Sequence, residues 1–288
     1  MDARTREQQE AVAVRVAGGD GQRPPAVHEG QFHRVVIGAR RVVCFPRTDA
    51  AAARLPARAA TLRAVGRAGL PFGTPLPLAL GDEPPHLVLT RVPGAPLDPS
   101  ALGRPEVAGA VAAQYAELLA ALGRAGAEEG LRGDLPEAPR DEWRRFASDV
   151  RAELFPLMSP AGRLRAGREL AAAEALPYVA GALVHGDLGG ENVLWETEDG
   201  LPVLRGVVDW DEVAFGDPAV DLAAVAASYG DAFLERVLEP AGGMWRDAWG
   251  RVAAIRGTFA LQQALSALRD GDEEELVDGL RGYGHVHR

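Results

Sequence analysis

Residues 185–196 read HGDLGGENVLWE, and the rest of the chain is best understood from there. The apolar run LVHGD (183–187) carries His185 and Asp187 into a turn containing Gly189 and Gly190. Asn192 follows five residues after Asp187, and the chain then becomes apolar again. Seventeen residues further on, GVVDWD (206–211) places Asp209 at the end of an apolar strand, with Asp211 just beyond it. The intervening EDG (198–200) is a hairpin turn between NVLWE and LPVLRGVVDW. If that hairpin folds back, the end of its second strand lies beside the loop that holds Asp187 and Asn192. Gathered carboxylates repel one another, and a hard, oxygen-seeking cation such as Mg²⁺ neutralises them well. An amide oxygen next to a carboxylate is an ordinary Mg²⁺ ligand pair, with phosphate oxygens completing the shell.

An Asp, an Asn five residues on, and a hairpin ending in Asp make the catalytic layout of protein-kinase-type phosphotransferases. In that layout the first Asp takes the proton of the acceptor hydroxyl, while the Asn and the last Asp hold magnesium on the nucleotide phosphates. The short spacing keeps base and metal ligand on one stiff turn, so that hydroxyl and γ-phosphate stay in line. A metal hydrolase built on His185, Asp187 and Asp209 needs more histidines nearby. The other five, His28, His33, His86, His285 and His287, fall in strands or the tail. His185 itself reads as scaffolding. The expected fold is α+β, protein-kinase-like and two-lobed, with a small antiparallel-sheet N-lobe and a mostly helical C-lobe.

The chain on either side fits this plan. Residues 1–22 read as a weak helix and a Gly-rich loop. Residues 26–46 read as short β-branched strands around the turn GARR (38–41), and 48–68 as a helix stopped by Gly69 and Pro71. HLVLTRV (86–92) is another strand, giving three or four in all, and PGAPLDPS (93–100) is a linker. A nucleotide-binding lobe is therefore expected over 1–92, and a catalytic and substrate-binding lobe over 93–288. From Pro105 the chain turns helical, with helices over 105–123, 141–155 and 161–176 before the β-rich island, and over 220–230, 231–238 and 249–269 after it. An acidic helix, EEELVDGL (273–280), ends the series.

Composition narrows the partners. Net charge is −10, from 41 acidic against 31 basic residues, a balance that repels nucleic acid and attracts cations. No apolar run is long enough to cross a bilayer, and MDARTREQQE is no signal peptide. The single cysteine, Cys44, precludes an internal disulfide and suits a reducing compartment. A cytoplasmic monomer is expected. Every one of the 31 basic residues is arginine, which excludes any site that depends on lysine, including the Walker A loop.

HGDLGGENVLW together with GVVDWDEVAFGDPAVDLA (206–223) resembles the aminoglycoside phosphotransferase superfamily, antibiotic kinases with a kinase-like fold. The resemblance narrows to its viomycin- and capreomycin-phosphorylating group. It does so through HEGQFHRVVIGARRVVCFPR (28–47), AARLPARAATLRA (52–64), EPPHLVLTRVPGAPL (83–97), ELFPLMSP (153–160) and the segment 254–280. That group phosphorylates a hydroxyl of tuberactinomycins, which are cyclic and strongly basic peptides. The resemblance implies that Asp187 is the base, that Asn192 and Asp209 bind Mg²⁺, and that Asp221 braces the loop. Asp211 would touch metal or substrate. ATP or GTP would stack its base near Thr90, Arg91 and Val92. Glu29 and Gly30 would begin a turn over the phosphates, although a plain hairpin turn fits EGQF equally well.

Kinases hold the α- and β-phosphates with a lysine on the third strand, paired to a helix glutamate. This chain has Cys44 near the first position and Arg58 near the second. Arg47 or Arg58 is therefore expected to grip phosphate, arginine being a good bidentate partner; a strand-end cap is the alternative for Arg47. For a cationic peptide the expected carboxylates are Asp211, Glu212 and Asp217 beside the loop, and Asp270, Asp272, Glu273 and Glu274 after the last long helix. A solvated helix start explains the second group equally well. Two other functions remain open: a kinase for aminoglycosides or other small hydroxyl compounds, and a kinase-fold protein that binds its antibiotic without transfer.

Overall fold

The computed structural model describes residues 3–17, 25–30, 33–240 and 248–284. Helix α1 (Ala3–Ala17) precedes a five-stranded antiparallel sheet made of β1 (Ala26–Glu29), β2 (His33–Ile37), β3 (Arg41–Pro46), β4 (Pro77–Asp82) and β5 (Pro85–Thr90). Helix α2 (Asp49–Arg67) connects β3 to β4, and the strand order is β1-β2-β3-β5-β4. The alternation of side chains along β2 and β3 sorts two faces. Val36, Val43 and Phe45 pack with Val12 and Ala13 of α1. Cys44 turns the other way and packs with Leu55, Ala59 and Leu62 of α2. Thr48 caps α2, its hydroxyl accepting from the Ala51 amide at 3.1 Å. Strand β4 was hidden in the sequence by Pro75 and Pro77. It survives because it lies at the sheet's edge, where a missing N–H costs no ladder bond.

The remainder is mostly helical, as expected. Strand β6 (Ala95–Pro96) interrupts the segment expected to be a bare linker, and pairs with β8 (Val193–Glu198). Helix α3 (Pro105–Gly126) buries Val107, Val111, Tyr115, Leu118 and Leu122 at helical spacing, and runs one turn past its expected stop at Gly123. Helices α4 (Glu129–Arg132), α5 (Glu142–Asp149) and α6 (Pro160–Glu174) follow, with a π turn over Val150–Leu154 after α5. Then come β7 (Ala182–Val184), β8, β9 (Leu201–Val207) and β10 (Ala214–Gly216). Strand β10, three residues paired to β7, is too short to read from sequence pattern. Helices α7 (Ala219–Tyr229), α8 (Asp231–Leu238), α9 (Ala248–Arg256), α10 (Phe259–Asp270) and α11 (Glu273–Leu280) complete the chain. The single helix expected over 249–269 is broken into α9 and α10 at Gly257 and Thr258. Among the described residues, no helix is long and apolar enough to cross a membrane.

Two backbone hydrogen bonds tie the sheet region to the β8–β9 hairpin. The Gly73 amide donates to Arg205 O, and the Val207 amide donates to Gly73 O, both at 2.9 Å. The approach is so close that a Cβ on Gly206 would lie 2.2 Å from the Gly73 carbonyl oxygen. Glycine is required there by contact.

Candidate active site

The loop after β7 is held from below by its neighbours' backbone. The Val208 amide, just past β9, donates to Asn192 O at 2.9 Å, so the hairpin does fold back. His185, with no exposed surface, donates from Nε2 to Val208 O at 2.9 Å and accepts the Asp187 amide on Nδ1 at 3.2 Å. Both ring nitrogens are thus occupied, and burial depresses the imidazole's pKa below its ordinary value. A neutral, saturated ring cannot bind metal; it is scaffold, edge-on to Trp210. Asp221, at the start of α7 and wholly buried, accepts the amides of His185 at 2.8 Å and Gly186 at 3.0 Å. Gly186 sits at φ +90°, and a Cβ there would lie 2.4 Å from Glu212 O, so no other residue fits this turn. Asn192 donates from Nδ2 to Asp187 O and to Asp187 Oδ2, each at 2.9 Å. The pair fixes the Asp187 carboxylate and leaves Oδ1 as the remaining amide atom of Asn192.

Asp209 lies in the left-handed region at φ 64°, a conformation that costs energy for any residue but glycine. Burial, with Asp211 and Asp187 nearby, raises its pKa against the pull of Arg58. Burial raises Glu212 too, helped by the charges of Asp211, Asp187 and Asp209. The cation among them is Arg58 of α2. Its Nε donates to Asp211 Oδ1 at 2.6 Å, and its Nη2 lies 3.8 Å from Asp209 Oδ1. Arg58 within the cluster, with Arg54 acting on Glu212 from beyond ion-pair distance, still leaves Asp187, Asp209, Asp211 and Glu212 an excess of negative charge, the condition under which a divalent cation is welcome. Among the described residues, no three His, Cys, Asp or Glu side chains form a cage that could hold a metal alone. Asn192 and Asp209 therefore suit an ion whose other ligands come from substrate.

On one side of Asp187 opens a cavity of about 600 Å³. Asp187, Glu212 and Glu142 line it together with Trp143, Tyr178 and Phe259. Glu142 and Glu212 have no ion-pair partner within 4 Å among the described residues, and burial together with the Glu212 charge pushes the Glu142 carboxyl above its ordinary pKa. Glu142 and the aromatic residues escaped sequence reading; the clue in DEWRRF (141–146) was a Trp amid charge. Five of the expected substrate carboxylates need correction. Asp217 borders the cavity, but it accepts Arg251 Nε at 2.7 Å and caps α7 through the Ala219 amide, so its charge is spent. Asp270, Asp272, Glu273 and Glu274 do not line the cavity. Asp272 caps α11 by accepting the Glu275 amide at 3.1 Å, Asp270 accepts the Ser266 hydroxyl, and Glu273 and Glu274 are exposed in the first turn. The helix-start reading wins there.

The opposite side faces the sheet. Glu29 pairs with Arg34 at 3.3 Å, and Gly30 O accepts Arg47 Nη1 at 2.7 Å. The expected phosphate turn continues through residues 31 and 32, which lie outside the described residues. Arg47, exposed, thus anchors that turn, whereas Arg58 reaches into the site. Thr90 uses its hydroxyl to accept the Leu76 amide at 2.8 Å. The Arg91 side chain turns back onto Gly38 O at 3.2 Å, away from any base beside it. The amides of Thr90 and Arg91 are taken by Leu76 O and Arg40 O. Val92 is buried, its Cγ1 packing at Gly73 and Gly206.

A loop aspartate clamped by an asparagine, a carboxylate cluster and a cavity opening at that aspartate are parts that suit phosphoryl transfer. Residues 24–255 match the phosphotransferase enzyme family, and the chain belongs to it. It is 63% identical over 274 residues to viomycin phosphotransferase of Streptomyces vinaceus, covering 93% of this chain and 96% of that protein. Among solved structures it is similar to the GDP complex of wild-type aminoglycoside 2'-phosphotransferase-IIIa, with TM-score 0.76 and 18% identity over 96% of each chain. It is similar also to macrolide 2'-phosphotransferase type I, with TM-score 0.74 and 24% identity over 100% of this chain and 99% of that one. The fold is accordingly kinase-like, and the chain is an enzyme that transfers phosphate.

Proposed function

We propose that this enzyme is an antibiotic kinase that moves the terminal phosphate of ATP, or GTP, to a hydroxyl of a basic cyclic peptide of the tuberactinomycin type. The observation that carries the reading is the position of Asp187, on the wall of a cavity where Glu142 and Glu212 lack ion-pair partners, in a chain 63% identical to a viomycin phosphotransferase. A cationic acceptor brings its own positive charge to those carboxylates. Residues 1–92 form the nucleotide lobe in this reading, and 93–288 the catalytic and acceptor lobe.

Asp187, fixed by Asn192, accepts the proton of the acceptor hydroxyl. The freed oxygen bonds to the terminal phosphorus, and nucleoside diphosphate leaves. Asn192 Oδ1 and the Asp209 carboxylate would hold magnesium, which would offset the charge of the phosphates. Asp209 holds the left-handed backbone conformation just past β9, a local strain of the kind found at functional sites. Arg58 contributes the positive charge that lysine supplies in other kinases, and Val92 borders the base.

Purified protein incubated with ATP, Mg²⁺ and a panel of basic antibiotics is expected to add the mass of one phosphate to viomycin or capreomycin. Phosphate gained by aminoglycosides alone would reassign the acceptor. No gain on any compound, with binding retained, would make the protein a sequestering one.

A further inference from the structure

Two buried polar atoms where the sheet meets α2 have no hydrogen-bond partner among the described residues: Nε2 of His33 and Nη1 of Arg58, whose guanidinium also lies against the Cys44 thiol. They belong to one place. Val35 pairs directly with Cys44 across β2 and β3, so both project from the same face, and His33, two residues before Val35, shares it. That face packs on α2, which supplies Arg58. Burial, and then the Arg58 charge, hold the His33 pKa below its ordinary value, with Asp211 acting the other way. Arg58 is turned by its other nitrogens, Nε on Asp211 and Nη2 toward Asp209, and Nη1 is what remains. The structure gives no other use for His33: it is neither part of the catalytic loop nor of the packed core.

A buried donor without a partner is costly to keep, and such groups cluster where a ligand completes them. Arginine only donates, and a neutral imidazole carries one proton on either ring nitrogen, so that Nε2 donates in one of its two tautomers. Two donors on one face call for an acceptor oxygen, beside carboxylates that themselves await a cation. Taking the nucleotide-dependent reading above as its basis, we propose that His33 and Arg58 together bind a phosphate oxygen of the nucleotide. From β2 and α2 they take the place of the β3 lysine, where this chain carries the buried Cys44. His33 is then a nucleotide-positioning residue.

The test is the equilibrium affinity of the wild-type protein and of His33→Ala, His33→Gln and His33→Asn for ATP, GTP, adenosine and guanosine, with Mg²⁺ present. His33→Ala is expected to weaken the preferred triphosphate about tenfold or more, the usual worth of a hydrogen bond to a charged group, while its nucleoside stays within about twofold. The Gln amide reaches about as far as Nε2 and should restore most of the loss; the shorter Asn should not. Nucleotide KM should follow the affinities, with acceptor KM unchanged. Triphosphate and nucleoside affinities falling together would reduce His33 to a packing role, and so overturn the proposal. So would an unchanged triphosphate affinity in His33→Ala, the result expected if a structural water fills the gap. If His33→Ala proves too unstable to assay, the Gln and Asn pair decides the matter alone. A wild-type protein with no preference for triphosphate over nucleoside would remove the kinase reading as well. Normal transfer by the wild type with His33-independent binding removes only this inference.

Discussion

In the loop 185–192 the polar groups find their partners inside the protein. His185 is bonded at both nitrogens, Asp221 accepts two amides, and Asn192 clamps Asp187. On the sheet face across the cleft, His33 Nε2 and Arg58 Nη1 are buried without partners, and Arg58 leans on carboxylates suited to a metal. The first region is preorganised: its geometry is complete before substrate arrives, so nothing need reorganise as charge develops. The second is complementary to something absent. In the proposed reading Asp187 is held still for chemistry, whereas the nucleotide binds and leaves at every turnover, with its grip completed by the ligand.

The largest effect that tests this division lies in the loop. Asp187→Asn is expected to lower kcat by about 10²–10⁴, the usual worth of a general base, with ATP affinity within about threefold of wild type. Activity near the wild-type level would show that the preorganised carboxylate is not the base. Next comes the support beneath it. Asp221→Ala leaves two buried amides without an acceptor, at a cost of about 1–3 kcal/mol each, or roughly 5–15 °C in Tm for a chain of this size. A calorimetric scan within 2 °C or so of wild type would mean that the loop holds itself. Gly206→Ala drives a Cβ into the Gly73 carbonyl where the two regions join. It should cost about 1–3 kcal/mol and weaken nucleotide affinity along with stability.

A smaller effect separates the regions by pH. Both histidines have depressed pKa values in the folded chain, His33 at about 4. An unfolded histidine titrates near 6.5. Below that pH the unfolded chain takes up protons that the folded one refuses, so stability is lost as pH falls from about 6.5 and stops being lost below about 4 for His33. Raised carboxylates such as Asp209 and Glu212 act in the opposite sense, gaining stability as pH falls through their folded values. The difference between wild type and His33→Gln isolates the imidazole. Allowing for its partial exposure, the variant should lose about 1–2 kcal/mol less between pH 7 and 4, roughly 2–6 °C in Tm. Parallel Tm curves for the two proteins would contradict the buried, neutral His33.

How much of this was legible in the sequence follows from how far each signal travels along the chain. Asp187, Asn192 and Asp209 could be read because the loop and hairpin are continuous, and local spacing fixed their meeting. Strand β4 was obscured because prolines read as breakers, although an edge position tolerates them. Asp217 looked available because its partner, Arg251, is 34 residues away. His33 carried no signal at all: a lone histidine opening a strand becomes notable only when α2 folds across it. The acidic run 270–275 was the opposite error, a loud local feature whose carboxylates serve their own helix start.

The smallest effect tests that correction together with the acceptor. Glu142 lines the cavity with its side chain largely exposed, and the Glu212 charge pushes its pKa up while Arg145 pulls it down. A cationic group of the acceptor placed between the two would relieve that repulsion. Exposed charge pairs are worth about 0.2–1 kcal/mol, so Glu142→Gln should raise acceptor KM about two- to fivefold. Because the contact is made equally in ground and transition states, kcat should change by less than about twofold, and nucleotide KM should stay fixed. Screening acts over a Debye length of about 8 Å at physiological salt, so acceptor KM should also climb with ionic strength, and less steeply in the variant. Replacing Glu273 and Glu274 by Gln should leave acceptor KM where it was, since neither reaches the cavity. If the distant pair moves KM and Glu142 does not, the acceptor lies elsewhere than in this cavity. If neither does and salt has no effect, the acceptor is not recognised by its charge.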